Sequence, residues 1–256
     1  MAAGQPASMD DDGLLMSTDR ETERRRLAEI SSWYSNRDWG FYTKLVHMGF
    51  RSIAPHFTSG SCLEVGCADG EMTRFLAERF EDLTVVDAAP GYVEAATAIR
   101  SGIEGHVSLI EDWRAPRCYD NIVFAHVLEH VAEPVTTLEK LRGLLSESGR
   151  LHIIVPNANS LHRLVGVKMD MLARVTDLNE ADVAVGHRRV YTRDTLHADI
   201  AEGGLRVHAC GGVFLKPLAN AQIQEQWSDQ LVEGYFQLGR ELPELSSELY
   251  AVCVQD

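Results

Sequence analysis

Side chains that can take, give or hold a proton cluster in His126-Val127-Leu128-Glu129-His130-Val131. If this segment is helical, His126, Glu129 and His130 stand at i, i+3 and i+4 and share one face. Val127, Leu128 and Val131 then turn toward a core. An imidazole titrates near neutrality, so His130 or His126 could accept a hydroxyl proton as a general base beside Glu129. The plainer alternative is a helix start with one ligand contact and two satisfied polar neighbours. Further along, His187 stands in Gly186-His187-Arg188-Arg189-Val190-Tyr191-Thr192. A histidine beside two arginines in a loop also reads simply as an exposed residue.

Something must position these groups. Tyr119 to Ala125 reads as a buried strand, so the histidine–glutamate segment begins at a strand's carboxyl end. In open parallel α/β sheets, ligands bind along that edge. An earlier stretch, Ser61-Cys-Leu-Glu-Val-Gly-Cys-Ala-Asp-Gly70, supplies a second unit. Cys62, Leu63 and Val65 suit a buried strand, and Gly66, Ala68 and Gly70 form a tight turn. Met72 to Phe80 continues with helical spacing, and Val85-Val86 ends the next strand with Asp87 at its tip. Small side chains let a ligand lie on the backbone, and a helix start offers free N–H groups. A terminal carboxylate can accept both hydroxyls of a ribose. These features describe a site for an adenosine-containing cofactor. The dinucleotide pattern G-x-G-x-x-G and the Walker A lysine are both absent.

Glu64-Val65-Gly66-Cys67-Ala68-Asp69-Gly70 fits E-x-G-x-[GA]-x-G, and here the chain resembles the class I S-adenosylmethionine-dependent methyltransferases. Ala68 stands where glycine is usual, which is tolerable if its φ stays negative. Glu111-Asp112-Trp113 follows the strand-like His106 to Ile110. The resemblance implies that an acidic residue there takes the adenine amino group and a neighbour covers the ring. Leu151 to Val155 is a fifth strand ended by Pro156-Asn157, so the likeness runs from residue 61 to about 157. It implies cofactor contacts from Glu64, Gly66, Cys67, Ala68, Gly70, Asp87, Ala88, Glu111, Asp112, Trp113, Ala125 and His126.

The His-x-x-Glu-His segment is also similar to E-x-x-E-H of the quinone-biosynthesis O-methyltransferases and the small-RNA 2′-O-methyltransferases, which bind a divalent ion. A later histidine completes the ligand set in the RNA enzymes. That likeness implies His126, Glu129, His130 and His187 as metal ligands, with His130, His126 and Glu129 catalytic. His126 replaces the first glutamate. Three imidazoles and one carboxylate form a softer set than an oxygen cage, favouring Zn, Fe, Co, Ni or Mn over Mg.

The expected fold is a Rossmann-like, doubly wound α/β sheet of seven strands, the last antiparallel. Residues 1–18, with Asp10-Asp11-Asp12, read as a disordered or loosely held arm. Residues 19–57 read as an N-terminal helical cap, in which Tyr34, Arg37, Tyr42 and Lys44 are candidate contacts. Residues 58–256 form the catalytic domain, with a helical insertion at about 158–190. Leu161 to Asp182 is patterned as mostly helical and too apolar for a free loop. It should lid the acceptor pocket or pack against another subunit, as in a homodimer. Thr192 or Asp194 should cap the next helix, and Gly203-Gly204 should end it.

The net charge of −14 argues against a large nucleic-acid footprint. Arg24-Arg25-Arg26 reads as a solvated helix face. No apolar stretch is long enough to span a bilayer and no secretory signal is evident, so a cytoplasmic location is expected. Of five cysteines, none in C-x-x-C spacing, Cys62, Cys118 and Cys253 should be buried thiols. The expected reaction is methyl transfer from S-adenosylmethionine to an O or N atom of a small-molecule acceptor. The alternatives are RNA 2′-O-methylation and a cofactor-binding pseudoenzyme.

Overall fold

A computed structural model describes Thr22, Glu23, Arg25, Arg26 and residues 40–255. The expected arm at 1–18, together with Tyr34 and Arg37, lies outside the described residues. Seven strands form one sheet in the order β3-β2-β1-β4-β5-β7-β6. They are β1 Cys62–Val65, β2 Leu83–Asp87, β3 Glu104–Val107, β4 Tyr119–Ala125, β5 Leu145–Pro156, β6 Leu205–Gly212 and β7 Glu248–Gln255. The first five pair in parallel, and β7 runs antiparallel between β5 and β6. The central strands are buried along nearly their whole length, as a sheet covered on both faces requires. Strand order reverses between β1 and β4, so their carboxyl ends open a crevice.

Two apolar layers sandwich the sheet. On one face the helix α1 Phe41–Ile53 buries Phe41, Leu45, Val46 and Met48 in the cluster that holds Val85, Val123 and Ile154. The first two of the following helices, α2 Glu71–Arg79 and α3 Pro90–Ala98, also feed this layer through Leu76 and Ala96. On the other face, α4 Pro134–Gly143 contributes Leu138 and Leu141 to a cluster with Phe124, Leu128 and Ile153.

Several boundaries differ from expectation. β3 stops at Val107, and Ser108 to Ile110 turn into the crevice instead of extending the strand. Within the insertion only α5 Leu161–Lys168 and α6 Glu180–Ala184 are helical; the segment between is irregular and exposes Met169 and Met171. Its apolar residues are spaced for a helix, but Asp170 takes a positive φ and breaks it. Thr192 does cap α7 Arg193–Glu202, accepting from Thr195 N–H in a capping box. Cys118 is exposed, because it precedes the strand instead of lying inside it.

Ala68 has φ of +44°, not the negative value expected of an alanine in this turn. The left-handed region costs a non-glycine residue about 1–2 kcal/mol. Ala68→Gly should therefore raise the midpoint of thermal unfolding, offset in part by the greater freedom of glycine in the unfolded chain. An unchanged or lowered midpoint would show that the alanine methyl contributes packing that outweighs the strain.

Candidate active site

The crevice at the carboxyl ends of β1, β2 and β4 is lined by Gly66, Cys67, Ala68, Asp87, Ala88, Glu111, Ala125 and His126, among others. Gly66 has φ of +79°, and a Cβ there would lie 2.4 Å from Val127 Cγ2. Only glycine lets the strand turn so close to the segment after β4. Gly70 precedes α2 without a side-chain cap. Asp87 accepts from Ala89 N–H at 2.8 Å and from Ala68 N–H at 3.3 Å. Those bonds use one lone pair on each oxygen and leave the rest for hydroxyls of a ligand in the crevice. Burial pushes the Asp87 carboxyl up from its ordinary value, against the backbone N–H groups that favour its charge.

Four expected cofactor contacts, Gly70 among them, are not part of the crevice lining. Glu64 does not line the crevice: it lies beneath the turn, where Thr73 Oγ1 donates to its Oε2 at 2.7 Å. Its Oε1 is buried without a partner among the described residues. Trp113 packs into the core beside Tyr119, and Asp112 also lies off the crevice wall. Glu111, with Ser108, Leu109 and Ile110, forms that wall instead, because the chain turns one residue after β3. The crevice lining includes the candidate Tyr42 and gains Tyr92 and Glu23. Tyr42 was legible as a helix-face aromatic; nothing local marks the other two. Lys44 points away and pairs with Asp229 at 2.6 Å.

Burial dominates at Glu64 and pushes its carboxyl to about 8. The folded state then holds more protons than the unfolded one between an ordinary 4.5 and about 8, so stability falls as pH rises through that window. Glu64→Gln removes this fall. The stability of the variant relative to the wild type should grow by a few kcal/mol, on the order of the shift, between pH 5 and pH 8.5. Thermal melts at the two pH values measure it, and a constant difference would contradict a proton held at Glu64.

The histidine–glutamate segment is not a helix. Residues 128–130 form a turn, and the helix begins only at Pro134. His126 has φ of +57°, strain of the kind a non-glycine residue keeps where the surroundings over-determine it. The turn's carbonyls lack helical partners, and arginines supply donors. Arg189 donates to the Leu128 and Ala132 carbonyls, both at 3.1 Å, and Arg188 Nε to the His130 carbonyl at 2.9 Å. Arg26, half-buried rather than solvated, donates to the Gly186 carbonyl at 3.0 Å and to the His130 carbonyl at 3.3 Å. The basic residues around His187 therefore brace the site.

Glu129, His130 and His187 converge, each offering one ligand atom within 4.8 Å of the others. Glu129 is fully buried and neither carboxylate oxygen has a hydrogen-bond partner among the described residues. His130 Nδ1 lies 3.2 Å from the Gly186 carbonyl. That oxygen can only accept, so Nδ1 carries the proton and Nε2 keeps its lone pair. His187 Nδ1 lies 3.2 Å from Asp182 Oδ1, and its Nε2 is 3.9 Å from Glu129 Oε1. Asp182 is itself fixed by Arg163 at 2.8 Å and by the capping box with Asn179. Burial opposes its charge, but His187, Asn179 N–H and Arg163 outweigh burial and hold it well below the carboxylate range.

Burial, with help from His187 and Arg26, pushes His130 down to about 4, against the pull of Glu129. His126 stands apart from the convergent trio. Its Nδ1 is 3.6 Å from Glu129 and its Nε2 3.6 Å from Glu248. Burial disfavours its charge, yet the two carboxylates push it to about 9.

A methyltransferase-domain model matches residues 11–209, more than half of the chain. The chain belongs to the methyltransferase-domain family. It is of the class I, S-adenosylmethionine-dependent type. This methyltransferase is 24% identical over 183 residues to the ubiquinone biosynthesis O-methyltransferase of Xanthomonas euvesicatoria, covering 68% of the chain and 74% of that relative. It is 38% identical over 92 residues to nodulation protein S of Bradyrhizobium diazoefficiens, covering 34% of the chain but only 44% of that relative. Among solved structures, the N-methyltransferase NodS of Bradyrhizobium japonicum bound to S-adenosylhomocysteine aligns with a TM-score of 0.55 at 17% identity, over 91% and 96% of the two chains. That likeness is one of fold. Among the described residues of the methyltransferase, no helix is long and apolar enough to cross a membrane.

Proposed function

We propose that this methyltransferase moves the methyl group of S-adenosylmethionine to an oxygen or nitrogen of a small-molecule acceptor, at a site that also holds a divalent transition ion. S-adenosylmethionine, when bound, supplies an electrophilic methyl on a sulfonium. Asp87 would hold its ribose, the backbone of residues 66–70 its methionine portion, and Glu111 the adenine edge. The remaining work of the protein is to align the acceptor, exclude water and remove the acceptor's proton.

The observation that carries the metal reading is the Glu129 carboxylate, sealed from solvent, without a hydrogen bond among the described residues, no nearer to His126 than 3.6 Å, and facing His130 and His187. A buried, unsatisfied carboxylate is costly unless a cation completes it. Both imidazoles have Nδ1 fixed by an outer acceptor, the arrangement that orients Nε2 of metal-ligating histidines. The three residues would hold the ion, with two nitrogens and one carboxylate favouring a transition ion over Mg. Such an ion supplies Lewis acidity that eases loss of a hydroxyl proton. One relative is named as a ubiquinone biosynthesis O-methyltransferase and one solved structure as an N-methyltransferase, and the net charge of −14 weighs against RNA. A cytoplasmic homodimer remains part of this reading, with the exposed Met169 and Met171 as the candidate contact.

Elemental analysis of purified protein, with transfer of labelled methyl before and after chelation, tests the proposal. Bound Zn, Fe, Co, Ni or Mn should be found, and activity should fall on chelation and return with that ion better than with Mg. A metal-free protein with full activity in chelator would leave His130 Nε2 as a general base.

A further inference from the structure

Past His126 the protein holds a second group of unsatisfied polar atoms. Glu248 Oε2, Ser247 Oγ, Ser160 Oγ and His162 Nδ1 are buried without a hydrogen-bond partner among the described residues. None of these residues lines the cofactor crevice. The sheet brings them together. Glu248 pairs with Pro156 at the end of β5, Ser247 accepts through its carbonyl from Asn157 N–H, and Ser160 N–H donates to the Asn157 carbonyl. His126, which does line the crevice, reaches Glu248 at 3.6 Å, so this group begins one side chain beyond the crevice.

This group contains both signs of charge. Glu248 is 5% exposed, with one oxygen toward His126 and the other unpaired. Lys216 follows the end of β6, where Val213 N–H donates to the Glu248 carbonyl and Ser247 N–H to the Phe214 carbonyl. Its ammonium has three donors and makes one hydrogen bond, to Asn220 Oδ1 at 3.2 Å. Among the described residues no carboxylate oxygen comes within 4.0 Å of it. Burial depresses the His162 imidazole, in the first turn of α5, and the Lys216 ammonium adds to that.

The start of α5 departs from local rules. Ser160 is its N-cap residue, yet its hydroxyl makes no cap hydrogen bond. No acceptor among the described residues reaches the N–H groups of Leu161 and His162. A serine at this position ordinarily satisfies such donors. Here a helix N-terminus, a hydroxyl and a lysine ammonium are all left open to an anion, and a carboxylate opposite is left open to a donor.

We propose that these residues bind the methyl acceptor, and that the acceptor is a small hydroxy or amino acid. Its carboxylate sits on Lys216 and the first turn of α5. Its O–H or N–H end donates to Glu248, next to His126 and the methyl group. The inference rests on the methyltransferase reading and does not require the metal.

The test uses full-length protein with S-adenosylhomocysteine bound for calorimetry and labelled S-adenosylmethionine for transfer. The probes are L-serine, salicylate and 4-hydroxybenzoate, each beside its own carboxamide. At least one acid should bind and accept methyl, and its carboxamide should be at least about ten-fold weaker, the worth of one charge-assisted bond. Lys216→Met should remove that preference by weakening the acid alone. Ser160→Ala should weaken the acid while keeping the wild-type melting temperature, because its hydroxyl caps nothing. If no acid binds, if the carboxamides do as well, or if Lys216→Met weakens acid and amide alike, the proposal is wrong. S-adenosylhomocysteine affinity separates the two levels: its loss in the wild type would overturn the methyltransferase reading, while normal affinity with no acid preference overturns only this inference.

Discussion

Glu129→Gln should strip the protein of its ion and lower turnover at least about 100-fold while leaving S-adenosylhomocysteine affinity within two-fold. The substitution keeps shape and volume but removes the one negative charge among Glu129, His130 and His187. It also places an amide N–H₂ where both oxygens now lack partners. Glu129 does not line the cofactor crevice, so cofactor binding should survive. Elemental analysis, single-turnover methyl transfer and calorimetry are read on the same preparation. Wild-type turnover and metal content in Glu129→Gln would remove Glu129 from the ligand set, and wild-type turnover with the ion lost would remove the ion from the mechanism. If His130→Ala alone abolished turnover in a metal-free protein, His130 would be the base.

The second large effect is expected at Asp87. Asp87→Ala should weaken S-adenosylhomocysteine by about 1.5–3 kcal/mol, or about 10- to 150-fold, because two ribose hydroxyls lose a charged acceptor. Asp87→Asn sharpens the reading. Burial disfavours the Asp87 carboxylate in the free protein, so a neutral amide should not lower the melting temperature of the free protein. Affinity and stability would then move separately. Unchanged calorimetric affinity in both variants would show that the ribose lies elsewhere.

Much of the cofactor half could be read locally. Gly66, Gly70 and Asp87 carry their meaning within a stretch of strand, turn, helix and strand, where neighbours in sequence are neighbours in space. The strands at Cys62, Leu83 and Tyr119 were legible for the same reason: buried parallel strands are short apolar runs bounded by turn residues. Reading failed where a tertiary partner changed the local outcome. The i, i+3, i+4 spacing of His126, Glu129 and His130 fits a helix. The chain instead forms a turn, because Arg26, Arg188 and Arg189 satisfy the carbonyls that a helix would have satisfied itself. Ala68 was expected at negative φ, yet the turn needs a left-handed residue there. Trp113 resembled a ring cover, but the core claimed its large apolar surface.

The sequence by itself determined the sheet, the cofactor crevice and the reaction type, since each is written in contiguous patterns of burial, turn geometry and one terminal carboxylate. Tertiary structure decided which polar groups act together. His187 joins Glu129 and His130 only because Asp182 and the braced turn hold the two segments face to face. His126 lies outside that group, between Glu129 and the Glu248 that the antiparallel β7 brings alongside. Pairing across the sheet depends on distances through space. Those distances are set by the whole core, and no spacing along the chain encodes them.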